Sequence, residues 1–180
     1  MNLEDIKKQI QILKLQIEKL IADLRNREFN KTIPNLPPPQ YVIIHHTGGD
    51  WSFYVLNESH KNKWQMRSSL GFYLGYNYFI DYNGKVFQTR DDREESAHTI
   101  GPVPNYYNRN SIGIALRGDT NKEKQTEWQE KSLKELIDKK KAEYNIPNNR
   151  VKGHRELSLN PTDCPGKNLY SWLIKTYPNV

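Results

Sequence analysis

The chain has 180 residues and a mass of 21.2 kDa, and 36% of its residues are hydrophobic, 11% aromatic and 27% charged. This length accommodates one ordinary domain with an appendage, and the aromatic content excludes a disordered chain. The single cysteine excludes an internal disulfide, which leaves its thiol three roles: core packing, nucleophile or metal ligand. The net charge of +6 favours an anionic partner such as nucleic acid, an acidic membrane face or a cell wall that carries phosphate polymers.

The first thirty residues carry a heptad pattern. Apolar residues recur at alternating spacings of three and four, at Leu3, Ile6, Ile10, Leu13, Ile17, Leu20 and Leu24. With no glycine or proline before Pro34, the pattern predicts a helix of roughly 40 Å, longer than a domain of this size needs for its own wall. We therefore expect residues 1–30 to form a coiled coil that joins copies of the chain into a homo-oligomer. The alternative is a helix folded back on the domain, and the stoichiometry of an oligomer stays open.

A proline-rich linker, residues 31–40, separates this helix from a domain spanning residues 41–180. Its four prolines end any helix and predict a stiff, extended connector. Strand and helix patterns then follow in chain order: strands over 41–45, 76–80, 85–89 and 111–116, and helices over 121–144 and 167–177. This order predicts an α/β domain with one central sheet.

Three side chains in the domain are of the types that bind zinc. His45 ends the first predicted strand, His154 lies in the run VKGHRE, and Cys164 lies between prolines in PTDCPG. Imidazole and thiolate are ligands that Zn²⁺ prefers, and three protein ligands with an open fourth position make a catalytic site. Strand alternation puts His45 and His46 on opposite faces, so only one of the two reaches a metal easily. Each residue alone fits a surface or core role equally well, and spacing does not show whether the fold brings them together.

Several motifs in the right order carry a family resemblance. They are YVIIHHT at 41–47, LGYNYFI at 74–80, NSIGI at 110–114, GHRE at 153–156 and TDCPG at 162–166. From about residue 40 to 175 the chain resembles the zinc-dependent N-acetylmuramoyl-L-alanine amidases, which include amidase-type phage lysozymes and the peptidoglycan recognition proteins. The resemblance implies a mixed β-sheet flanked by helices with a zinc cleft. It also implies cleavage of the amide between N-acetylmuramic acid and the L-alanine of the stem peptide.

The same resemblance assigns roles to individual residues. It implies His45, His154 and Cys164 as zinc ligands, and Tyr76 and Thr162 as catalytic groups that hydrogen-bond the attacking water or the developing oxyanion. Which of those two moves a proton stays open. The expected substrate contacts are His98, Asn110, Arg90 and His46, and for Arg90 a salt-bridged scaffold role is the alternative. Two departures from the family pattern are Gln65 after Trp64, where many members have histidine, and a longer gap between His154 and Cys164.

We therefore expect a zinc-dependent peptidoglycan hydrolase of the phage endolysin type, with a non-catalytic peptidoglycan-binding module as the alternative. A nucleic-acid partner is not expected, because charge alone supports it. The sequence contains no run of about 18 apolar residues, so membrane insertion is not expected. Charges interrupt the N-terminal segment, so no secretory signal is predicted. The protein is expected to be cytoplasmic until release and then to act on the bacterial cell wall, and a host autolysin exported by another route is the alternative.

Overall fold

The computed structural model describes residues 36–178 and, before them, Ile6, Ile10, Leu13, Lys14 and Ile17. The chain divides into two compact units, Met1–Pro34 and Asn35–Val180. The five described residues of the first unit are helical and exposed. The rest of the expected coiled coil lies outside the described residues, and self-association therefore stays a prediction.

The second unit is built on a five-stranded sheet of order β3-β2-β4-β1-β5. The strands are β1 (Tyr41–His46), β2 (Tyr78–Ile80), β3 (Val86–Gln88), β4 (Ser111–Leu116) and β5 (Val151–Gly153). β1 lies parallel between β4 and β5, β2 is parallel to β4, and β3 pairs antiparallel with β2 through the expected hairpin. The prediction of a mixed central sheet is confirmed.

Four α-helices flank the sheet: α1 (Phe53–Trp64), α2 (Tyr106–Asn110), α3 (Glu127–Tyr144) and α4 (Lys167–Thr176). The predicted start of α3 at residue 121 is wrong, because Thr126 caps the helix five residues later. Its hydroxyl accepts the Gln129 backbone N–H, and the Gln129 side chain accepts the Thr126 backbone N–H, each at 3.1 Å. None of the helices in the described part of the chain is long and apolar enough to cross a membrane.

The two faces of the sheet carry different cores. On one face, Val42 and Ile44 of β1 pack with Leu133 of α3 and Leu169 of α4 in a large aliphatic cluster. On the other face, α1 covers a smaller, aromatic-rich cluster against which Tyr76 packs. Side chains alternate along a strand, so the end of β1 directs His45 away from the aliphatic cluster and towards Tyr76, with ring centroids 5.1 Å apart.

Candidate metal centre and cleft

Parallel pairing of β1 and β5 brings two of the predicted ligands together. Ile44 pairs with Gly153, so His45, the next residue of β1, and His154, which directly follows β5, lie at the same edge of the sheet. The two imidazole rings are 4.5 Å apart. Cys164 completes the group, since one ligand atom from each of the three residues lies within 4.8 Å of the others. The sheet topology therefore assembles the three residues that are far apart in sequence.

The loop that carries the cysteine is held by backbone contacts. The Arg155 backbone N–H donates to the Cys164 carbonyl at 2.8 Å, and the Arg155 guanidinium donates to the Asp163 carbonyl. Gly166, with φ of +87°, follows a cis Cys164–Pro165 peptide bond and passes so close to Thr120 that a side chain would collide with it. These contacts hold the thiol in place without using the sulfur.

The three side chains fit a zinc ion. The His45 Nδ1 and Cys164 Sγ atoms are 3.6 Å apart, and tetrahedral zinc with ordinary Zn–N and Zn–S bonds places such atoms ~3.6 Å apart. The His154 Nε2 atom is buried and has no hydrogen-bond partner among the residues that the structure describes. Leaving a buried polar atom unsatisfied costs about 1–3 kcal/mol, and a metal bound to this atom would remove that cost.

Burial sets the protonation of the metal-free site. It lowers the pKa of His45 well below its usual value, with the nearby His98 adding to the effect, and lowers that of His154 to about 4. Burial also raises the pKa of the Cys164 thiol to about 12. At neutral pH both imidazoles are therefore neutral and ready to bind, whereas the thiol must lose a proton when a metal arrives.

A cleft of about 330 Å³ opens beside this group. Tyr76, His154 and Thr162 all line it, so both predicted catalytic residues share a cavity with a ligand candidate. Burial, and secondarily Cys164, raises the pKa of Tyr76 above its usual value, which keeps its hydroxyl protonated. A protonated phenol donates hydrogen bonds, so Tyr76 is suited to stabilising negative charge and not to acting as a base.

Two of the four expected substrate contacts point elsewhere. Arg90 is fully buried and donates to the main-chain carbonyls of Leu74, Glu95 and Met66, so its guanidinium is part of the scaffold. Asn110 ends α2, donates to the Tyr106 carbonyl and borders a separate cavity of about 280 Å³. Neither side chain lines the cleft, because local main chain already engages both, and Arg90 has the scaffold role that was the alternative to substrate contact. Substrate contact by Asn110 stays a prediction.

His46 and His98 have different outcomes. His46 turns to the opposite side of β1 and accepts the Thr120 backbone N–H at 3.1 Å, so it does not line the cleft and its substrate contact stays a prediction. His98 does line the cleft, but it is only 8% exposed and its ring nitrogens contact His45, Thr99 and Ser111.

The cleft also contains residues that the sequence did not predict. Trp64, at the end of α1, forms one wall, and Asn108 and Asn160 contribute polar groups. The Leu159 backbone N–H donates to the Ile100 carbonyl at 2.7 Å, so the long loop between His154 and Cys164 packs against the rim of the cleft. The sequence does contain the pattern of helix α1. Ser52 is a typical N-cap residue, and Phe53, Leu56 and His60 form the buried face of the helix.

His60, on the buried face of α1, holds the chain segment that leads to Tyr76. Its Nδ1 atom accepts the Gly75 backbone N–H at 3.0 Å, and its ring lies 4.3 Å from that of Trp64. Burial, with smaller contributions from Lys63 and Arg90, lowers the pKa of His60 to about 4. The neutral His60 side chain therefore holds the Gly75 backbone, which directly precedes Tyr76.

This burial predicts a pH-dependent contribution to stability. A histidine whose folded pKa lies below its unfolded value stabilises the fold above about pH 6.5 and loses that contribution as the pH falls towards the folded value. His60→Asn retains an acceptor for Gly75 but has no proton to bind. Between pH 6.5 and 4 the native protein should lose roughly 2 kcal/mol more unfolding free energy than the variant, measured by urea denaturation. Parallel losses in both proteins would contradict the buried, neutral assignment.

Comparisons with known proteins agree with this fold. The family model described as N-acetylmuramoyl-L-alanine amidase matches residues 35–167. Peptidoglycan-recognition protein SD of Drosophila simulans is 32% identical over 164 residues, covering 84% of this chain and 83% of that protein. The chain therefore belongs to the N-acetylmuramoyl-L-alanine amidase family, which includes recognition proteins of this kind, and the expected resemblance is confirmed.

Two solved structures from Clostridium intestinale share the architecture. The N-acetylmuramoyl-L-alanine amidase LysC superposes with a TM-score of 0.65 at 25% identity, covering 80% of this chain and 88% of that chain. The endolysine N-acetylmuramoyl-L-alanine amidase LysCS gives a TM-score of 0.63 at 26% identity, covering 77% and 83%. The relatives thus include named amidases as well as a recognition protein.

Proposed function

We propose that this protein is a zinc-dependent peptidoglycan hydrolase that cleaves the amide between N-acetylmuramic acid and the L-alanine of the stem peptide. The observation that carries the proposal is the convergence of His45, His154 and Cys164 to within 4.8 Å beside a cleft. Membership of the amidase family supplies the bond that is cleaved.

His45, His154 and Cys164 would hold the zinc, which when bound polarises the scissile carbonyl and activates water. The Tyr76 hydroxyl, on the wall of the same cleft, donates a hydrogen bond to the carbonyl oxygen as negative charge develops there. Thr162 accepts the Cys164 backbone N–H at 3.2 Å, and its hydroxyl hydrogen remains available to the cleft. Such donors stabilise a developing oxyanion by roughly 10²-fold or more in rate each.

A non-catalytic peptidoglycan-binding module is the second candidate, and one observation favours it: a curated relative at 32% identity is named a recognition protein. A binding module needs the cleft but not the metal or a hydrogen-bond donor beside it. The present chain retains a buried thiol 3.6 Å from the His45 Nδ1 atom together with Tyr76, and this set supports the enzyme.

The endolysin assignment is a further part of the proposal. It is supported by the similarity to LysCS, whose name describes an endolysine. We propose that the protein stays in the cytoplasm until release and then acts on the cell wall, where its net positive charge of +6 favours association with an anionic surface.

Digestion of purified sacculi tests the proposed function. The protein should release soluble stem peptides whose new amino terminus is L-alanine, identified by mass spectrometry. Retention of the protein on sacculi that stay intact, with peptidoglycans of several stem-peptide types, would instead establish the binding module.

We also propose that residues 1–30 join copies of the chain through the heptad seam. Several catalytic domains held on one wall raise the effective concentration of each. Deletion of residues 1–30 should reduce the molar mass measured by light scattering to that of a folded, zinc-binding monomer. An unchanged number of chains per particle, relative to the full-length protein, would contradict the coiled coil.

A further inference from the structure

His98 lies directly behind one of the ligand candidates. Its ring rests on β4 at Gly113, where an added side-chain carbon would lie only 2.5 Å from the His98 Cδ2 atom. The ring is held between His45 and Ser111, with its Nδ1 atom 3.0 Å from His45 Nε2 and its Nε2 atom 3.2 Å from the Ser111 hydroxyl. This packing makes His98 a link between the sheet and the candidate metal centre.

The Ser111 hydroxyl identifies which His98 nitrogen carries hydrogen. Its single hydrogen is donated to the Tyr107 carbonyl at 2.6 Å, and a carbonyl only accepts. In the contact with His98 the serine oxygen must therefore accept, so His98 carries its hydrogen on Nε2. In the described part of the chain the nearly buried ring contacts an imidazole and two hydroxyls and no carboxylate, so it is neutral with a single ring hydrogen. The Nδ1 atom is thus an acceptor.

The same reasoning extends to His45. Because the His98 Nδ1 atom carries no hydrogen, its 3.0 Å contact requires His45 to donate from Nε2. The neighbouring Thr99 hydroxyl, 2.8 Å from the same Nδ1 atom, is a second donor to it. A neutral His45 with hydrogen on Nε2 has its free lone pair on Nδ1, the nitrogen that faces the Cys164 sulfur at 3.6 Å.

We infer that His98 and Ser111 are positioning residues that hold His45 as the Nε2–H tautomer and so present its Nδ1 atom to the metal. The inference rests on the proposed zinc site and adds the groups that orient it. The hydrogen bonds form one chain with a single direction of donation. His45 donates to His98, His98 donates to the Ser111 hydroxyl, and Ser111 donates to the Tyr107 carbonyl. Outer partners of this kind fix the orientation and tautomer of ligating histidines.

Two measurements test this assignment. In the metal-free native protein, long-range ¹H–¹⁵N NMR correlations should show both His45 and His98 with hydrogen on Nε2. Zinc affinity, measured by competition with a chromophoric chelator, should fall about 10–100-fold in His98→Leu and about 10-fold in Ser111→Ala. Ser96→Ala is the matched control, because Ser96 is also a buried serine that donates to an α2 carbonyl, that of Asn108, at 2.9 Å.

The control should bind zinc within about twofold of the native protein, on the same scale of outer-shell effects. Hydrogen on Nδ1 of either histidine in the native protein would overturn the inference, as would unchanged zinc affinity in both His98→Leu and Ser111→Ala. The NMR result does not depend on the folding of any variant. A native protein with the expected tautomers but no zinc binding would instead overturn the proposed function.

Discussion

Replacing Cys164 with serine is expected to weaken zinc binding by more than about 100-fold, because even outer partners of metal ligands contribute 10–100-fold. Amide cleavage should be lost with the metal. The fold should survive, since the Arg155 contacts to the Cys164 and Asp163 carbonyls do not use the sulfur, and a serine hydroxyl keeps a donor near the His46 carbonyl that the thiol contacts. Chelator competition gives the zinc affinity, and release of peptides from sacculi gives the activity.

Metal-free native protein is the reference for this variant. The two should have the same unfolding free energy within about 1 kcal/mol, since the substitution leaves every described backbone contact of the loop in place. Full zinc affinity in Cys164→Ser would contradict the ligand set. Loss of folding in the variant alone would show that the thiol has a structural role.

Replacing Tyr76 with phenylalanine should lower kcat by about 10²–10³-fold, the usual cost of removing one donor to an oxyanion. Zinc content should stay at the native level, because Tyr76 is not one of the three residues whose ligand atoms converge. The ring remains to pack beside His45. Steady-state kinetics on a soluble muramyl-peptide substrate, with zinc measured on the same sample, gives both quantities.

Tyr78→Phe is the matched control for this prediction. The Tyr78 hydroxyl donates to Asp92 at 2.8 Å. The Tyr78 ring belongs to the core cluster covered by α3 and does not line the cleft. The control should lose about 1 kcal/mol of unfolding free energy and keep its activity. Equal activity losses in Tyr76→Phe and Tyr78→Phe would show that the effect is structural and that Tyr76 is not an oxyanion donor.

Local sequence patterns predicted the parts of the fold that local physics determines. The apolar runs gave β1 and β4, the Asn-Gly turn gave the β2–β3 hairpin, and the amphipathic pattern gave α3. Strand β5 was missed because three residues, Val151–Gly153, are too few to show an alternation. Its pairing with β1 is nevertheless what brings His154 to His45, so the candidate metal centre depends on an element with almost no local signal.

The candidate site shows the same division between motif and packing. Motifs found the three ligand candidates and Tyr76, whose residue types follow from the chemistry. They did not show that main-chain carbonyls engage the side chains of Arg90 and Asn110. Such engagement depends on where turns place the main chain. The hydrogen-bond chain from His45 to the Tyr107 carbonyl could not be predicted from the sequence either, because it depends on distances among four residues that only the fold brings together.

The metal centre is tested most directly by a zinc titration of metal-depleted native protein, with cleavage of sacculi measured at each addition. We predict no cleavage without metal, and activity that rises linearly and saturates at one zinc per chain. The released peptides should carry a free L-alanine amino terminus. Two results would contradict the claim that His45, His154 and Cys164 form the metal centre of an amidase. One is equal cleavage by the metal-depleted and the zinc-loaded protein, and the other is intact sacculi at one bound zinc per chain.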